Sequence, residues 1–352
     1  MSPIFEKVKL HSKENLPFVI YRKPNSRTII GVFQVNDHLY FSENFKEEAF
    51  IFSSFLGDKP IVFPIEHSEV KFAAPHLVDG NDEKNLQTKT NEAEREKFIS
   101  LVQSGINAIN EGTFRKVVLS RVEAVDVPNF DIEVVFERML QHYSTAFCYC
   151  WYHPKIGMWM GATPERLLQA KEKSFNTMSL AGTQTFQGND VVSWKNKERE
   201  EQEFVTSFIV ENLKNQASDV QLSTPYTTRA GNLLHIRTDI EGTLNEDSNL
   251  KNVIDILHPT PAVCGLPKNI ARDFILKNEG YDREFYSGFL GELNLNINTN
   301  EHETDLYVNL RCMKVGDKVA QIYVGGGITK DSNPEAEWEE TVNKTKTMKR
   351  IL

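Results

Sequence analysis

AFCYCWYHPKIGMWMGAT, residues 146–163, is the stretch on which the fold class turns. Two apolar runs flank His-Pro-Lys-Ile-Gly, and apolar side chains alternate with period two through both, which reads as neighbouring antiparallel strands in a meander. Cys148 and Cys150 fall on one face of the first strand. No second cysteine or histidine pair at ligand spacing accompanies them, so they read as buried structural thiols rather than half of a metal site.

The pattern extends in both directions. FRKVVLSRVEAV (114–125) reads as a strand, followed by a short helix over residues 132–142. After the opening pair, LLQA, a turn at KEK and FNTMSLAGT (175–183) continue the meander. Residues 195–215 read as a long amphipathic helix. Three more strands follow: YSGFLGELNLNI (286–297), LYVNLRCMKV (306–315) and VAQIYVGGGIT (319–329), and a last helix spans residues 334–348. Strands grouped in meanders, with helices between the groups rather than after every strand, predict an α+β fold of large antiparallel sheets and exclude a Rossmann or TIM arrangement.

Upstream, LPFVIYRKP, RTIIGVFQV and KPIVFPI read as strands joined by turns, so residues 1–90 form a strand-rich N-terminal part expected to pack into the same globule. The polar stretch 78–91 is the expected exposed connection. A helical stripe (Phe98, Leu101, Val102, Ile106, Ile109), stopped by Gly112, opens the core of residues 91–352.

A chain of 352 residues with 40% hydrophobic and 25% charged residues can bury a real core. Its net charge of −9 disfavours nucleic-acid and anionic-membrane partners. Charges break up the N-terminus, no apolar run reaches eighteen residues, and the four cysteines are too scattered for a disulfide framework, so a cytoplasmic protein is expected.

Four constellations could carry chemistry. Glu198 and Glu201 lie in KNKEREEQEFV, where Glu201 shares its helical phase with Val205, Phe208 and Ile209 and so faces the core; the plain alternative is a solvated charged face. Glu337, Glu340 and Lys344 share one face of the last helix, as a metal-binding set or a surface ladder. Four carboxylates without cysteine or histidine are the hard donors that Mg2+ takes. Lys116 sits beside the buried run VVL, where desolvation would suit it to act as a base; the plain alternative is a snorkelling lysine. Alternation sets Tyr307, Asn309 and Arg311 on one strand face, and Gly325, Gly326 and Gly327 read as a place where backbone amides approach an anion, or as a bare turn.

The order of KVVLSR, ATPERLL, SLAGT, KEREEQEFV, LHPTPAVCGLPK, YSGFLGELN, LYVNLRC, YVGGGIT and PEAEWEETVNKTKTM resembles the chorismate-utilising enzymes across residues 93–352, and within them the isochorismate synthases. The resemblance implies a chorismate-binding fold and an Mg2+-dependent isomerase that moves the substrate's hydroxyl from ring carbon 4 to ring carbon 2. It implies that Lys116 activates water and Glu165 protonates the departing hydroxyl. It further implies that Glu201 and Glu340 hold Mg2+ with Glu198 and Glu337 in support, and that Tyr286, Arg311, Gly325 and Lys344 bind carboxylates. Gly182 and Thr183, with His258 and Ala262 of the HPTPAVCG loop, complete the implied substrate pocket. Chemically, Glu165 would have to keep its proton at working pH and Lys116 to lose one.

Ala181 stands where the aminodeoxychorismate synthases that use a covalent lysine carry that lysine, and the anthranilate synthases lack a lysine at the place of Lys116 and need an ammonia-supplying partner. Water is therefore the implied nucleophile, and no amidotransferase subunit is expected. A salicylate synthase, which shares the same residues and then eliminates pyruvate, is the nearest alternative; an inactive chorismate-binding protein is the alternative of another class. Menaquinone, a siderophore and salicylate are all open as destinations of the product. Gln202 and Thr163 depart from the histidine and serine that the family commonly has there.

Overall fold

A computed structural model describes residues 2–75, 91–186, 188, 192–230 and 233–352; apart from Asn91, the connection expected at 78–91 lies almost wholly outside them. Two antiparallel sheets dominate. The first has nine strands in the order Gly265–Leu266, Lys116–Asp126, Val319–Ile328, Cys312–Val315, Gly157–Thr163, Phe147–His153, Phe18–Arg22, Ile29–Gln34 and Ser68–Ala73. The second runs Ala217–Leu222, Leu233–Leu244, Ser174–Thr185, Arg166–Lys171, Glu303–Val308, Phe289–Leu293, Ala49–Ser53, Ile61–Pro64 and Tyr40–Phe41, with Tyr226–Ala230 also pairing on Leu233–Leu244. Strands from the first 75 residues thus pair directly with later ones, Phe18 with Tyr152 and Phe289 with Ser53 among them.

The two sheets face each other across an aromatic layer that includes Tyr21, Phe52, Trp151, Trp159, Phe285 and Tyr307. Phe63 stacks on Trp151 with centroids 5.2 Å apart, and Phe147 on Tyr307 at 4.4 Å, spacings at which ring pairs add to the burial of their area. Helices Pro3–Glu14 and Ile132–His142 cover the outer face of the first sheet, and Asn196–Leu213 and Leu250–Leu257 that of the second. Helices Glu92–Asn110, Lys268–Asn278 and Pro334–Lys349 pack around strand Lys116–Asp126 and its neighbour Val319–Ile328. The α+β expectation, with sheets packed together and helices outside, is met.

Several elements differ from their sequence reading. Pro3–Glu14 is a helix whose buried residues Ile4, Phe5, Val8 and His11 form a stripe hidden among charges. Leu250–Leu257, Lys268–Asn278 and the strands between 217 and 244 were not anticipated. LYVNLRCMKV is two strands, not one: Glu303–Val308 belongs to the second sheet and Cys312–Val315 to the first. Asn309 to Arg311 carry the chain across, and Arg311 takes the left-handed region at φ 49°, which ends the alternation on which a shared face for Tyr307, Asn309 and Arg311 rested. ATPER crosses the other way, from Gly157–Thr163 into Arg166–Lys171. The two crossings are stitched together: Val308 N donates to Glu165 O at 2.9 Å, Ala162 N to Arg311 O at 3.0 Å, and Thr163 Oγ1 to Val308 O at 2.6 Å.

Candidate active site

A cavity of about 160 Å³ opens where these crossings meet strands Lys116–Asp126 and Val319–Ile328 and helices Asn196–Leu213 and Pro334–Lys349. Lys116, Glu165, Gly182, Glu198, Glu201, Ala262, Tyr286, Arg311, Gly325, Glu337, Glu340 and Lys344 all line it. His258 does not. Its ring is buried, with Nε2 3.1 Å from Ser54 O and 3.2 Å from Phe55 O, and it packs edge-on against Phe289. Strand Ser174–Thr185 carries Thr183, whose side chain lies outside the described residues.

The three glycines sit inside strand Val319–Ile328, with Gly325 opposite Ser120 and Gly327 opposite Val118, and not in a turn beyond it. The pairing with Cys312–Val315 stops at Tyr323, so Gly325–Gly327 have a strand partner on one edge only, and Gly325 O accepts from Lys344; the glycines also supply space. A Cβ on Gly327 would stand 3.1 Å from both Glu201 Oε1 and Lys116 Cε, and one on Gly326 3.1 Å from Glu337 Oε2. Carboxylates from two helices thereby reach the strand surface. Gly182 repeats the device at φ 71°, where a Cβ would lie 3.0 Å from Glu198 Cβ.

Lys116 is buried and its ammonium pairs with Glu201 Oε1 at 2.8 Å. Lys344 pairs with Glu340 Oε1 at 2.5 Å and donates to Gly325 O at 2.8 Å. Burial works to raise the Glu340 carboxyl, yet Lys344 and, beyond it, Arg311 and His235 hold it below the usual carboxylate range. Glu165 is the opposite case: burial pushes it up to about 7, with only Lys116 pulling down. One buried acid is thus poised to carry a proton near neutrality while Glu340 stays ionised.

The donor set suits a hard divalent cation: four carboxylates on two helices line one cavity, Glu201, Glu337 and Glu340 beside the glycine strand and Glu198 beside Gly182, and Glu198 Oε2 is buried with no hydrogen-bond partner among the described residues. Among the described residues no three acidic side chains are already gathered at ligating range, since Glu201 and Glu340 are turned to their lysines.

Residues 65–352 match the family described as chorismate binding enzyme. The chain belongs to that family. Isochorismate synthase EntC of Escherichia coli is 30% identical over 249 residues, which are 67% of this chain and 62% of that protein. Isochorismate synthase MenF of the same organism is 30% identical over 267 residues, 72% of this chain and 60% of MenF, so the matches span less than two thirds of these relatives. The solved structure of E. coli MenF, the menaquinone-specific isochorismate synthase, superposes with a TM-score of 0.79 at 20% identity, covering 96% of this chain and 88% of that one, which confirms the fold.

This chorismate binding enzyme has cavity residues that sequence reasoning missed. His235, on strand Leu233–Leu244, is buried with Nδ1 2.9 Å from Gly182 O, and burial, helped by Arg311, lowers it to about 4, so its ring is neutral. The one available signal was a lone histidine in the apolar run LLHI of an unrecognised strand. Val263, Leu310 and Tyr323 add apolar wall. Gln202, beside Glu201, is a buried hub: its amide reaches Thr238 Oγ1 at 2.7 Å, Thr206 Oγ1 at 2.9 Å and Ser179 Oγ at 3.0 Å, tying the helix to two strands. Thr163 holds the turn that presents Glu165, accepting from Glu165 N at 3.4 Å. All four cysteines are free and buried, which agrees with the buried-thiol reading of Cys148 and Cys150. No described helix is long and apolar enough to cross a membrane.

Proposed function

We propose that this chain is an isochorismate synthase, acting on chorismate by adding water at ring carbon 2 and releasing the hydroxyl of ring carbon 4. The observation that carries the reading is the pairing in one cavity of a buried lysine, Lys116, with a buried acid held near neutrality, Glu165. The two relatives named above, both isochorismate synthases, support it. Once its ammonium has given up a proton, the neutral amine of Lys116 takes a proton from the attacking water as the new carbon–oxygen bond forms and the ring double bond shifts. Glu165 gives its proton to the leaving oxygen, which departs as water. Arg311, Tyr286 and Lys344 orient the substrate's carboxylates, and Val263, Leu310 and Tyr323 exclude solvent from the ring.

Glu201 and Glu340, with Glu198 and Glu337, would hold Mg2+, which when bound neutralises a substrate carboxylate. The residues before 91 serve as scaffold for the core that follows. With water as nucleophile, no ammonia-supplying subunit is required, and four free thiols suit the reducing cytoplasm.

Incubation of purified protein with chorismate and Mg2+, followed by chromatography and a lactate dehydrogenase assay for pyruvate, tests the reading. A plateau mixture of chorismate and isochorismate without pyruvate is expected. Stoichiometric pyruvate with fluorescent salicylate would make the chain a salicylate synthase. Unchanged chorismate would leave only a binding protein.

A further inference from the structure

We propose that Asn309 is a positioning residue, a buried clamp that fixes Tyr286 and Arg311 relative to each other and so sets how tightly the cavity holds a substrate carboxylate. The inference rests on the functional reading above. Asn309 itself is fully buried and outside the cavity lining. It is the first residue of the crossing from the second sheet to the first, two residues before Arg311.

Both cavity residues sit beside unfavourable backbone. Arg311 has φ 49°, and Ser287, next to Tyr286, has φ 63°. Residues with a Cβ adopt this region only where their surroundings impose it. Asn309 makes four bonds that impose it. Its N–H donates to Gly288 O at 2.8 Å and its carbonyl accepts from Ser287 N at 2.9 Å, locking the crossing to the turn after Tyr286. Its Nδ2 donates to Phe285 O at 2.8 Å, just before Tyr286, while Oδ1 accepts from the Tyr149 hydroxyl at 2.6 Å. The amide orientation follows from chemistry, because a carbonyl at Phe285 demands a donor. One side chain thus ties down the chain on the near side of Tyr286, and its own backbone ties down the far side and leads into Arg311.

Loosening the clamp should weaken contacts made equally to bound substrate and transition state, so the effect falls on KM rather than kcat. Asn309→Asp keeps the acceptor for Tyr149 and replaces the donor facing Phe285 O with oxygen. Tyr149→Phe removes the other bond and leaves the Phe285 tether in place. Expected for Asn309→Asp is a KM for chorismate raised about tenfold or more with kcat within about threefold, the scale set by misplacement of a binding group. Tyr149→Phe should move KM by less than about threefold. Thermal unfolding is followed for both. Unchanged KM in Asn309→Asp would overturn the proposal, as would an equal rise in Tyr149→Phe at an equal loss of melting temperature. If the Asp variant does not accumulate folded, Asn309→Ser, which buries no charge, takes its place under the same criteria. A wild-type protein that leaves chorismate unchanged would instead overturn the functional reading on which this rests.

Discussion

The Lys116 ammonium lies 2.8 Å from Glu201 Oε1, a bond between the first residue of a buried strand and the core-facing carboxylate of a covering helix. The proposed base and a proposed metal ligand are thus one electrostatic unit. Lys116→Ala should abolish the base while leaving the other carboxylates and Arg311 in place. Turnover is expected to fall by about 10²–10⁴. Chorismate binding, measured by calorimetry, should stay close to wild type, and Mg2+ binding should not weaken, because Glu201 loses the ammonium that competes for it. Turnover within tenfold of wild type in that variant would remove Lys116 from the chemistry.

Glu165 carries a prediction about both rate and stability. Its carboxyl is held at about 7 against an ordinary 4.5, first by burial. The rate should therefore fall as pH rises through about 7, when the acid loses its proton. Stability has the same sign. Between 4.5 and about 7 the folded protein keeps a proton that the unfolded chain has released, so stability drops as pH rises across that window and no further above it. At about 1.4 kcal/mol per pH unit the ceiling is about 3 kcal/mol. Glu165→Gln should lose turnover yet gain up to that much stability relative to wild type at pH 8, and little at pH 4.5. Urea unfolding at the two pH values measures it, and an equal difference at both would mean that Glu165 is not held protonated.

Much of this was legible in the sequence, for identifiable reasons. Short apolar runs such as FCYCWY, bounded by turns, gave the meanders, because strands buried between two layers carry apolar side chains on both faces. The helical phase of Glu201 against Val205 and Ile209 placed a carboxylate on the core side, where Lys116 meets it. What escaped was tertiary. Nothing local in LYVNLRCMKV announces that Asn309 to Arg311 leave one sheet for the other, since both flanking strands are apolar. The glycines have a second use that local sequence does not show: the room they leave for Glu201 and Glu337, residues more than a hundred positions upstream and ten downstream. His235 was invisible because its strand was not recognised, and the resemblance alone put His258 in the pocket, while the carbonyls it meets, Ser54 and Phe55, lie some two hundred residues away.

The carboxylates give a metal prediction. In the structure Glu201 and Glu340 are each neutralised by a lysine, and a cation has to draw both away from those partners. Replacing either with glutamine leaves a neutral amide oxygen, a poorer donor for a hard ion. Glu201→Gln and Glu340→Gln should each raise the half-saturating Mg2+ concentration for turnover and weaken Mg2+ binding measured by calorimetry without substrate. Unchanged values in both variants would reduce the four carboxylates to a charged ladder.

Gly327→Ala tests whether the glycine strand exists to make room for chemistry. The added methyl would stand 3.1 Å from Glu201 Oε1 and 3.1 Å from Lys116 Cε, and neither of these contacts is backbone. Flexible side-chain ends can give way by a few tenths of an ångström, so the sheet should keep its register and the variant should fold. The ends that must move, however, are those of the proposed base and a proposed metal ligand, and displacement of reacting groups by about 1 Å can cost on the order of 10² in rate. The expected result is a melting temperature near wild type with turnover reduced at least tenfold, and a smaller loss in Gly316→Ala, where a methyl would meet only Val319 O at 3.4 Å, far from the cavity. Full activity in Gly327→Ala would mean that Lys116 and Glu201 have slack to spare, and the close approach of helix and strand would then be packing alone.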